Sequence, residues 1–430
     1  MNSMSILIGP MKLHLNGHKE LTSHSDVKNI EAGKLVYIPL MACTDILVKV
    51  GDYVKQGRLL AKRNDYFIVP IFSSVSGIVK GIEEKEHSTG RRIEHLVIEN
   101  DGKYEFERPF EPLDPVKATR EELVTFMMNA GIVGCGGAGF PSYVKYRDAK
   151  DVHTLLINAV ECEPYITADY KIINDQLDDL VYGVAAMLKM SEAKEAIIAI
   201  KKTKQDLIAK VNKALEGQKN IRVQEVPDQY PMGWERTLIY EIFKKRYNKL
   251  PGEVGVIVNN ATTAIAFAEA LKSGKPILEK LCTFSGEGLN QPTNVKVPVG
   301  VTVKEIVDQI GGYAAEEVIV VGGGPMMGRA QTDDEVVITT SSNAIIILKP
   351  EPVDTIACLR CGRCNDHCPA GILPVRINNA EAAGDVKLLQ KLRADQCIEC
   401  GMCTYVCPSK IEVTESVKRG KALLKASTLK

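Results

Sequence analysis

At 430 residues the chain is too long for one hydrophobic core and suggests roughly three domains. Its 45% hydrophobic and 25% charged residues sit at the globular average, so it can bury sizeable cores. Lys+Arg 54 against Asp+Glu 54 leaves no formal net charge, which argues against an extended nucleic-acid surface.

Residues 1–32 read as an irregular lead-in, and Met1–Met11 lacks the basic and apolar regions of a signal peptide. From about Gly33 to Asn100 short β-type runs follow one another: Leu35–Leu40, Ile46–Val50, Tyr66–Ile71, Gly77–Ile82 and Leu96–Ile98. Gly51-Asp52, Gly57 and Gly77 mark the turns between them. The stretch Val48–Gly57 followed by Ser73–Val79 resembles the barrel-sandwich hybrid of biotinyl and lipoyl carriers, which implies such a domain over 33–100. Those carriers present a lysine at a hairpin tip, but Lys62-Arg63-Asn64-Asp65 lacks their Met-Lys-Met type of signal. A structural or docking module is therefore expected rather than a carrier. Residues 101–118, rich in Pro and charge, read as a linker.

From Arg120 to about Gly274 helix and strand patterns alternate, which gives an α/β domain over 119–275. Leu155–Ala159, Ala196–Ile200 and Val254–Val258 suit buried parallel strands, with helical patterns at 168–190, 204–216 and 234–246 and a further helix over Thr262–Lys272. Residues 278–350 read as an α+β module, with strands at Lys280–Ser285, Asn294–Pro298, Val318–Val321 and Ala344–Leu348 and a helix at Val303–Ile310. Leu281–Gly288 with Val299–Val303 resembles the ligand-binding β-grasp (SLBB-like) module. No run approaches about 18 consecutive apolar residues, so no spanning helix is expected.

The last part, 354–415, holds Cys358, Cys361, Cys364 and Cys368 before Pro369, then Cys397, Cys400, Cys403 and Cys407 before Pro408. This is C-x2-C-x2-C-x3-C-P written twice. Two-residue gaps let three thiolates wrap one face of a cubane, and the fourth Cys reaches across to the other cluster. Cys358, Cys361, Cys364 and Cys407 are thereby assigned to one [4Fe-4S] cluster, and Cys397, Cys400, Cys403 and Cys368 to the other. Zinc sites use separated pairs, and a disulfide framework belongs to small secreted chains. Ile377–Leu392 is helical by periodicity, so a helical two-cluster ferredoxin domain is expected. Clusters without an export signal imply a reducing cytoplasm, with attachment at the cytoplasmic face of a membrane complex left open.

The second signal is Gly134-Cys135-Gly136-Gly137-Ala138-Gly139-Phe140-Pro141, with Lys145 after it. Glycines without Cβ let backbone N–H groups approach a phosphate, and a following helix N-terminus would favour its charge. The loop follows no first strand of a βαβ unit and lacks a G-K-[ST] ending, which excludes Rossmann and P-loop readings. Three later stretches join it: Leu156–Pro164 (LINAVECEP), Tyr230–Glu235 (YPMGWE) and Val258–Thr263 (VNNATT). Asn and Glu at strand ends are groups that hydrogen-bond an isoalloxazine edge and a ribityl chain.

Together these four stretches resemble the flavin- and NADH-binding subunit of respiratory complex I and its relatives, the C subunit of the Rnf complex and RnfC-like proteins. The resemblance covers roughly residues 33–410. It implies non-covalent FMN, with phosphate and ribityl near Gly134, Gly136, Gly137, Gly139 and Lys145. It puts Asn158, Glu161, Asn259, Asn260 and Thr263 with the flavin, Glu163, Glu235 and Phe140 toward NADH, and Tyr230 and Gly233 among the cofactor-binding residues. The complex I protein has Arg where this chain has Cys135, an acid at Val160 and another Glu at Trp234, and it carries one terminal cluster where this chain has two. The double cysteine run and carrier-like N-terminal domain point to the RnfC branch. Cys135 and the Tyr-Pro-Met-Gly-Trp-Glu stretch look more like the proline reductase-associated electron transfer proteins. There Cys135 would be a redox-active thiol, the alternative being a small residue in the place of Leu or Met in relatives, with Cys162 the next candidate and Cys43 and Cys282 buried small hydrophobes.

The implied activity is hydride transfer from NADH to FMN, then single-electron release through two [4Fe-4S] clusters to a partner reductase, proline reductase among them. The alternatives are the NADH-input subunit of a membrane Rnf ion pump, a cobalamin reductase, and a non-catalytic relay that has lost nucleotide binding.

Overall fold

The computed structural model describes residues 13–41 and 44–428, so Cys43 lies outside the described residues. Two compact units form. The larger comprises Gly17–Asp228 and Met232–Lys349; the smaller comprises Gln229–Pro231, the chain from Pro350 onward and the described residues before Gly17.

In the larger unit the lead-in is not irregular throughout. It has a short 3-10 turn at Lys19–Leu21 and a strand, β1 (Val27–Asn29). Such a short polar strand has no alternation to betray it, and it exists because a sheet edge formed far along the chain accepts it. The strands β2 (Leu35–Pro39), β3 (Thr44–Ile46), β4 (Tyr53–Val54), β5 (Leu59–Asn64), β6 (Ile68–Phe72), β7 (Gly77–His87) and β8 (Arg91–Asn100) build a two-sheet barrel-sandwich. Its sheets run β2-β8-β7-β4 and β3-β5-β6, and Val36, Ile38, Leu60, Val79, Leu96 and Ile98 fill the space between them. Lys62 and Arg63 lie within β5, and the hairpin tip carries Tyr66, 91% exposed, where a carrier would hold its lysine.

Beyond the linker a Thr119–Glu122 capping box starts α1 (Arg120–Asn129), and α2 (Val144–Arg147) is a single turn. Then follow β9 (Thr154–Ala159), α3 (Ala168–Asp175), α4 (Leu177–Ser191), β10 (Glu195–Lys201), α5 (Gln205–Ala214), β11 (Ile221–Val226), α6 (Glu235–Phe243), β12 (Val256–Asn260) and α7 (Ala261–Ser273). The four strands are all parallel in the order β11-β10-β9-β12. Alternate strand residues face opposite sides: Leu155, Ile157 and Ile198 meet Leu180, Val184 and Phe267, whereas Leu156, Ile197 and Val258 meet Met232, Leu238 and Ile239. The single helix expected over 168–190 is two, because Gln176 leaves the helical region at φ −131°. The strand β11 escapes the apolar pattern because Arg222, Gln224 and Glu225 populate a sheet edge.

The last module of this unit has β13 (Glu279–Ser285), β14 (Thr293–Pro298), α8 (Val303–Ile310), β15 (Ile319–Gly322), β16 (Arg329–Ala330) and β17 (Ala344–Leu348). They form one sheet, β1-β14-β13-β17-β15-β16, so the lead-in supplies its edge. Thr302 caps α8, and Val303, Ile306, Val307 and Ile310 pack as one stripe against Phe284, Val295, Val297 and Ile347.

The smaller unit is helical, with α9 (Arg363–Asp366), α10 (Pro374–Ala382), α11 (Val386–Lys391), α12 (Met402–Tyr405) and α13 (Val413–Thr428). The helical stretch expected at 377–392 divides at Gly384, whose φ of +63° only glycine adopts readily. Ile377, Ala380, Leu389, Val413 and Val417 form its core. Among the described residues no helix is long and apolar enough to cross a membrane.

Candidate functional site

The parallel sheet reverses its order at β9. The chain moves from β9 outward through β10 and β11, then returns to the other side of β9 for β12. The crevice beyond the carboxyl ends at such a reversal is where open α/β sheets bind ligands. Here those ends carry Asn158 on β9 and Asn259 and Asn260 on β12.

The glycine loop packs against this crevice, since a Cβ built on Gly136 would sit 3.1 Å from Asn260 Nδ2. The loop is closed by Gly134 N–H donating to the Phe140 carbonyl (2.9 Å) and Gly139 N–H to the Gly134 carbonyl (3.2 Å). Gly137 and Gly139 have φ of +109° and +59°, which admit few other residues. Gly136, Gly137 and Ala138 are exposed, and among the described residues their N–H groups donate to no protein acceptor. Three exposed residues with uncommitted N–H groups, and no carboxylate in the loop, fit a phosphate. The helix that follows, α2, is one turn beginning only after Tyr143, so it offers the loop little of a helix dipole.

Several expected flavin contacts are joined to one another behind this loop. Glu161 Oε1 accepts from the Asp169 N–H (2.7 Å), and Glu161 Oε2 lies 3.4 Å from Lys19 Nζ. Asp169 accepts from Asn260 Nδ2 (2.6 Å) and Thr262 Oγ1 (2.8 Å). Asn260 Oδ1 accepts from the N–H groups of Thr262 and Thr263 and so caps α7. Thr263 Oγ1 accepts from the Cys135 N–H at 3.0 Å. Burial pushes the Glu161 carboxyl up and the Lys19 amine down, and their mutual attraction opposes both shifts. Lys19 and Asp169 were not among the residues read from the sequence, and Thr262, within the Val258–Thr263 stretch, was not singled out as a contact. Asp169 has a local signal, an acid in the first turn of a helix; Lys19 has none, because its partner is 142 residues away.

The remaining expected residues take definite places. Asn158 Nδ2 donates to the Gly233 carbonyl (2.7 Å), tying the end of β9 to the turn before α6. Asn259 is buried and donates to the Tyr146 hydroxyl. The Lys145 amine donates to the Val258 carbonyl (2.7 Å); burial lowers its pKa while nearby Glu235 opposes the shift. Glu235 Oε1 accepts from the Tyr247 hydroxyl at 2.7 Å. Glu163 Oε2 accepts from the Met326 N–H (3.0 Å), and a Cβ on Gly324 would collide with that carboxylate, so the Gly322–Gly328 loop is moulded to it. Phe140 is 38% exposed and meets Phe67 edge-on. Trp234, adjoining Gly233, buries its indole Nε1 without an acceptor among the described residues. Cys135 is buried and its Sγ faces the Val133 carbonyl at 3.5 Å, and burial pushes the Cys162 thiol up to about 11. Cys282 is fully buried, as expected.

In the smaller unit the two cysteine runs repeat one backbone. Arg360 and Glu399 sit at φ +52° and +57°, Gly362 and Gly401 at +79° and +75°. The Arg360 and Glu399 N–H groups point at Cys358 Sγ (3.4 Å) and Cys397 Sγ (3.3 Å). Cys368, from the first run, lines one cavity with Cys397, Cys400 and Cys403, the four ligands that the crossing rule assigns to one cluster. Cys358 and Cys361 are exposed, and Cys364 and Cys407 half-buried. Burial holds the Cys368, Cys397, Cys400 and Cys403 thiols on the protonated side, so iron binding there must displace protons. Tyr230, expected among the cofactor-binding residues, belongs to this unit, where its hydroxyl donates to the Cys400 carbonyl at 2.8 Å.

Comparison with known proteins agrees with this layout. Residues 11–103 match the RnfC barrel-sandwich hybrid domain, 127–269 the Nuo51 FMN-binding domain, 282–330 the SLBB domain and 357–411 the 4Fe-4S dicluster domain. The C subunit of the ion-translocating oxidoreductase complex of Rhodobacter capsulatus is 34% identical over 87% of this chain and 75% of that one. Its counterpart in the proton-translocating ferredoxin:NAD(+) oxidoreductase complex of Clostridium ljungdahlii is 33% identical over 84% and 82%. The counterpart in the Na(+)-translocating ferredoxin:NAD(+) oxidoreductase complex of Acetobacterium woodii is 31% identical over 87% and 88%. A crystal structure of an NAD+-reducing [NiFe]-hydrogenase in its H2-reduced state shares the fold, with a TM-score of 0.51 and 17% identity over 72% of this chain and 63% of that one. The chain is thus an oxidoreductase polypeptide with a flavin-binding and a dicluster domain, and it belongs to the RnfC family, the C subunits of ion-translocating oxidoreductase complexes.

Proposed function

We propose that this chain oxidises NADH at FMN and passes the electrons singly through two [4Fe-4S] clusters to a redox partner at the cytoplasmic face of a membrane. The observation that carries the reading is one polypeptide with an open glycine loop at the switch point of a parallel sheet and a twice-written cysteine run whose Cys368 lines a cavity with Cys397, Cys400 and Cys403. When bound, FMN supplies the conversion between two-electron and one-electron chemistry. The chain's own part is to bind and orient. The Gly136–Ala138 amides hold the phosphate, Lys145 keeps the end of β12 in place, and Glu163, Glu235 and Phe140 face the nucleotide.

The curated relatives belong to ion-translocating complexes, two of them named for ferredoxin and NAD(+), and this supports membrane subunits as the partner. The narrower assignment to a soluble proline reductase system rests on Cys135 and the Tyr230–Glu235 stretch. The burial of Cys135 favours a packing role for that thiol. Purified, cluster-reconstituted protein should take up FMN in a one-to-one ratio, and NADH rather than NADPH should bleach the flavin band anaerobically. Uptake of FMN without bleaching by either nucleotide would leave only a relay. Electron delivery to membranes containing the other Rnf-type subunits, set against delivery to purified proline reductase, separates the two partners.

A further inference from the structure

The lead-in delivers a cation to the back of the flavin pocket. Its path is fixed at several points: Asn294 Nδ2 donates to the Thr22 carbonyl (3.0 Å), Thr22 and Thr167 hydroxyls are 2.7 Å apart, His18 stacks on Tyr165 at 4.9 Å, and β1 pairs with β14. On this anchored arm the three donors of the Lys19 ammonium meet three acceptors, the Glu161 carboxylate (3.4 Å), the Glu161 carbonyl (3.1 Å) and the Ile166 carbonyl. Both oxygens of Glu161 and both of Asp169 accept hydrogen bonds, the pattern of ionised carboxylates. A buried carboxylate, Asp169, and a largely buried one, Glu161, therefore stand in one network. Lys201, the other nearby cation, is held by Asp228 at 2.7 Å. Removing one partner from a buried charge network leaves the other charge without compensation.

We infer that Lys19 is a positioning residue of the flavin pocket: through Glu161, Asp169, Asn260 and Thr263 it holds the Cys135 N–H and thereby the shape of the glycine loop. The inference rests on the flavin reading for its ligand, but the coupling exists in flavin-free protein. Without Lys19 the two carboxylates repel each other and, across the loop, an incoming phosphate.

The test uses the full chain with reconstituted clusters as wild type, Lys19→Met, Lys19→Arg and Lys19→Met/Glu161→Gln. Hydrogen exchange on the flavin-free protein and FMN titration by fluorescence quenching are the two readouts. Lys19→Met should speed exchange in 134–139 and 161–169 and weaken FMN binding on the order of 10-fold. Lys19→Arg should lie between it and wild type, and Glu161→Gln added to Lys19→Met should recover most of the loss, since a neutral amide needs no cation. Folded Lys19→Met with unchanged exchange and unchanged FMN affinity overturns the inference, as does a double variant no better than the single one. If Lys19→Met fails to fold, recovery of folding in the double variant supports the coupling and continued failure overturns it. If wild type binds no FMN, the flavin reading falls, and the exchange data still decide the role of Lys19.

Discussion

Asn260 shows how a residue that the sequence offers as a ligand contact can be committed to the protein first. Its Oδ1 caps α7 and its Nδ2 satisfies Asp169. Asn260→Ala should cost about 1 kcal/mol for the cap and about 1–3 kcal/mol more for the buried acceptor left without a donor. Asn260→Asp keeps the cap but sets a carboxylate against Asp169, so it should be the more damaging change at neutral pH. Urea unfolding of both variants checks that order, and an aspartate variant as stable as wild type would remove Asp169 from the account. Residue types at the site were legible in the sequence, since Asn158, Glu161, Asn260 and Thr263 all gather at the crevice. Their partners were not. Asp169 and Lys19 act across the fold, and a pairing across 142 residues leaves no local pattern.

Among the elements, α8 was legible to the residue because Thr302 caps it, Gly311 ends it and one apolar stripe runs between them. The 168–190 stretch was not, because its apolar spacing continues through the break at Gln176. The reason α4 must be placed closely lies in α7: a Cβ on Gly183 would stand 1.9 Å from the Ala264 carbonyl oxygen. Alanine favours a helix over glycine by about 1 kcal/mol, but no side-chain rotation relieves a clash with backbone. Gly183→Ala should therefore be destabilising by about 1–3 kcal/mol net, measured as a lowered Tm. In the barrel, His95 is buried with Nδ1 against the Ile93 carbonyl and Nε2 without a partner among the described residues, and burial lowers its pKa from 6.5 to about 4, with His87 and Lys85 adding to the shift. Between those values the unfolded chain binds the proton and the folded chain does not, so stability is fully present above pH 6.5 and falls as pH drops toward 4. The loss should reach up to about 3 kcal/mol, and His95→Leu should flatten that slope. An unchanged pH profile in the variant would assign the acid sensitivity elsewhere.

For the whole molecule the cysteine repeat was the most legible feature, because thiolate spacing is dictated by the cluster rather than by tertiary context. The lead-in was the least legible, since both its strand and its lysine take their meaning from elements more than 130 residues away. The proposed crossing of the ligand sets makes a sharp prediction. Cys368→Ser should abolish the same EPR signal as Cys397→Ser, while Cys358→Ser and Cys407→Ser abolish the other. Matching losses in Cys368→Ser and Cys358→Ser would mean that each run keeps its own cluster. The account as a whole turns on the route of electrons through one chain. The most direct measurement is an anaerobic NADH titration of the FMN-loaded, cluster-reconstituted protein, with absorbance following the flavin and EPR the clusters. Flavin bleaching by NADH with reduced-cluster signals appearing in step is the predicted result. Clusters that dithionite reduces while NADH leaves both flavin and clusters oxidised would contradict it.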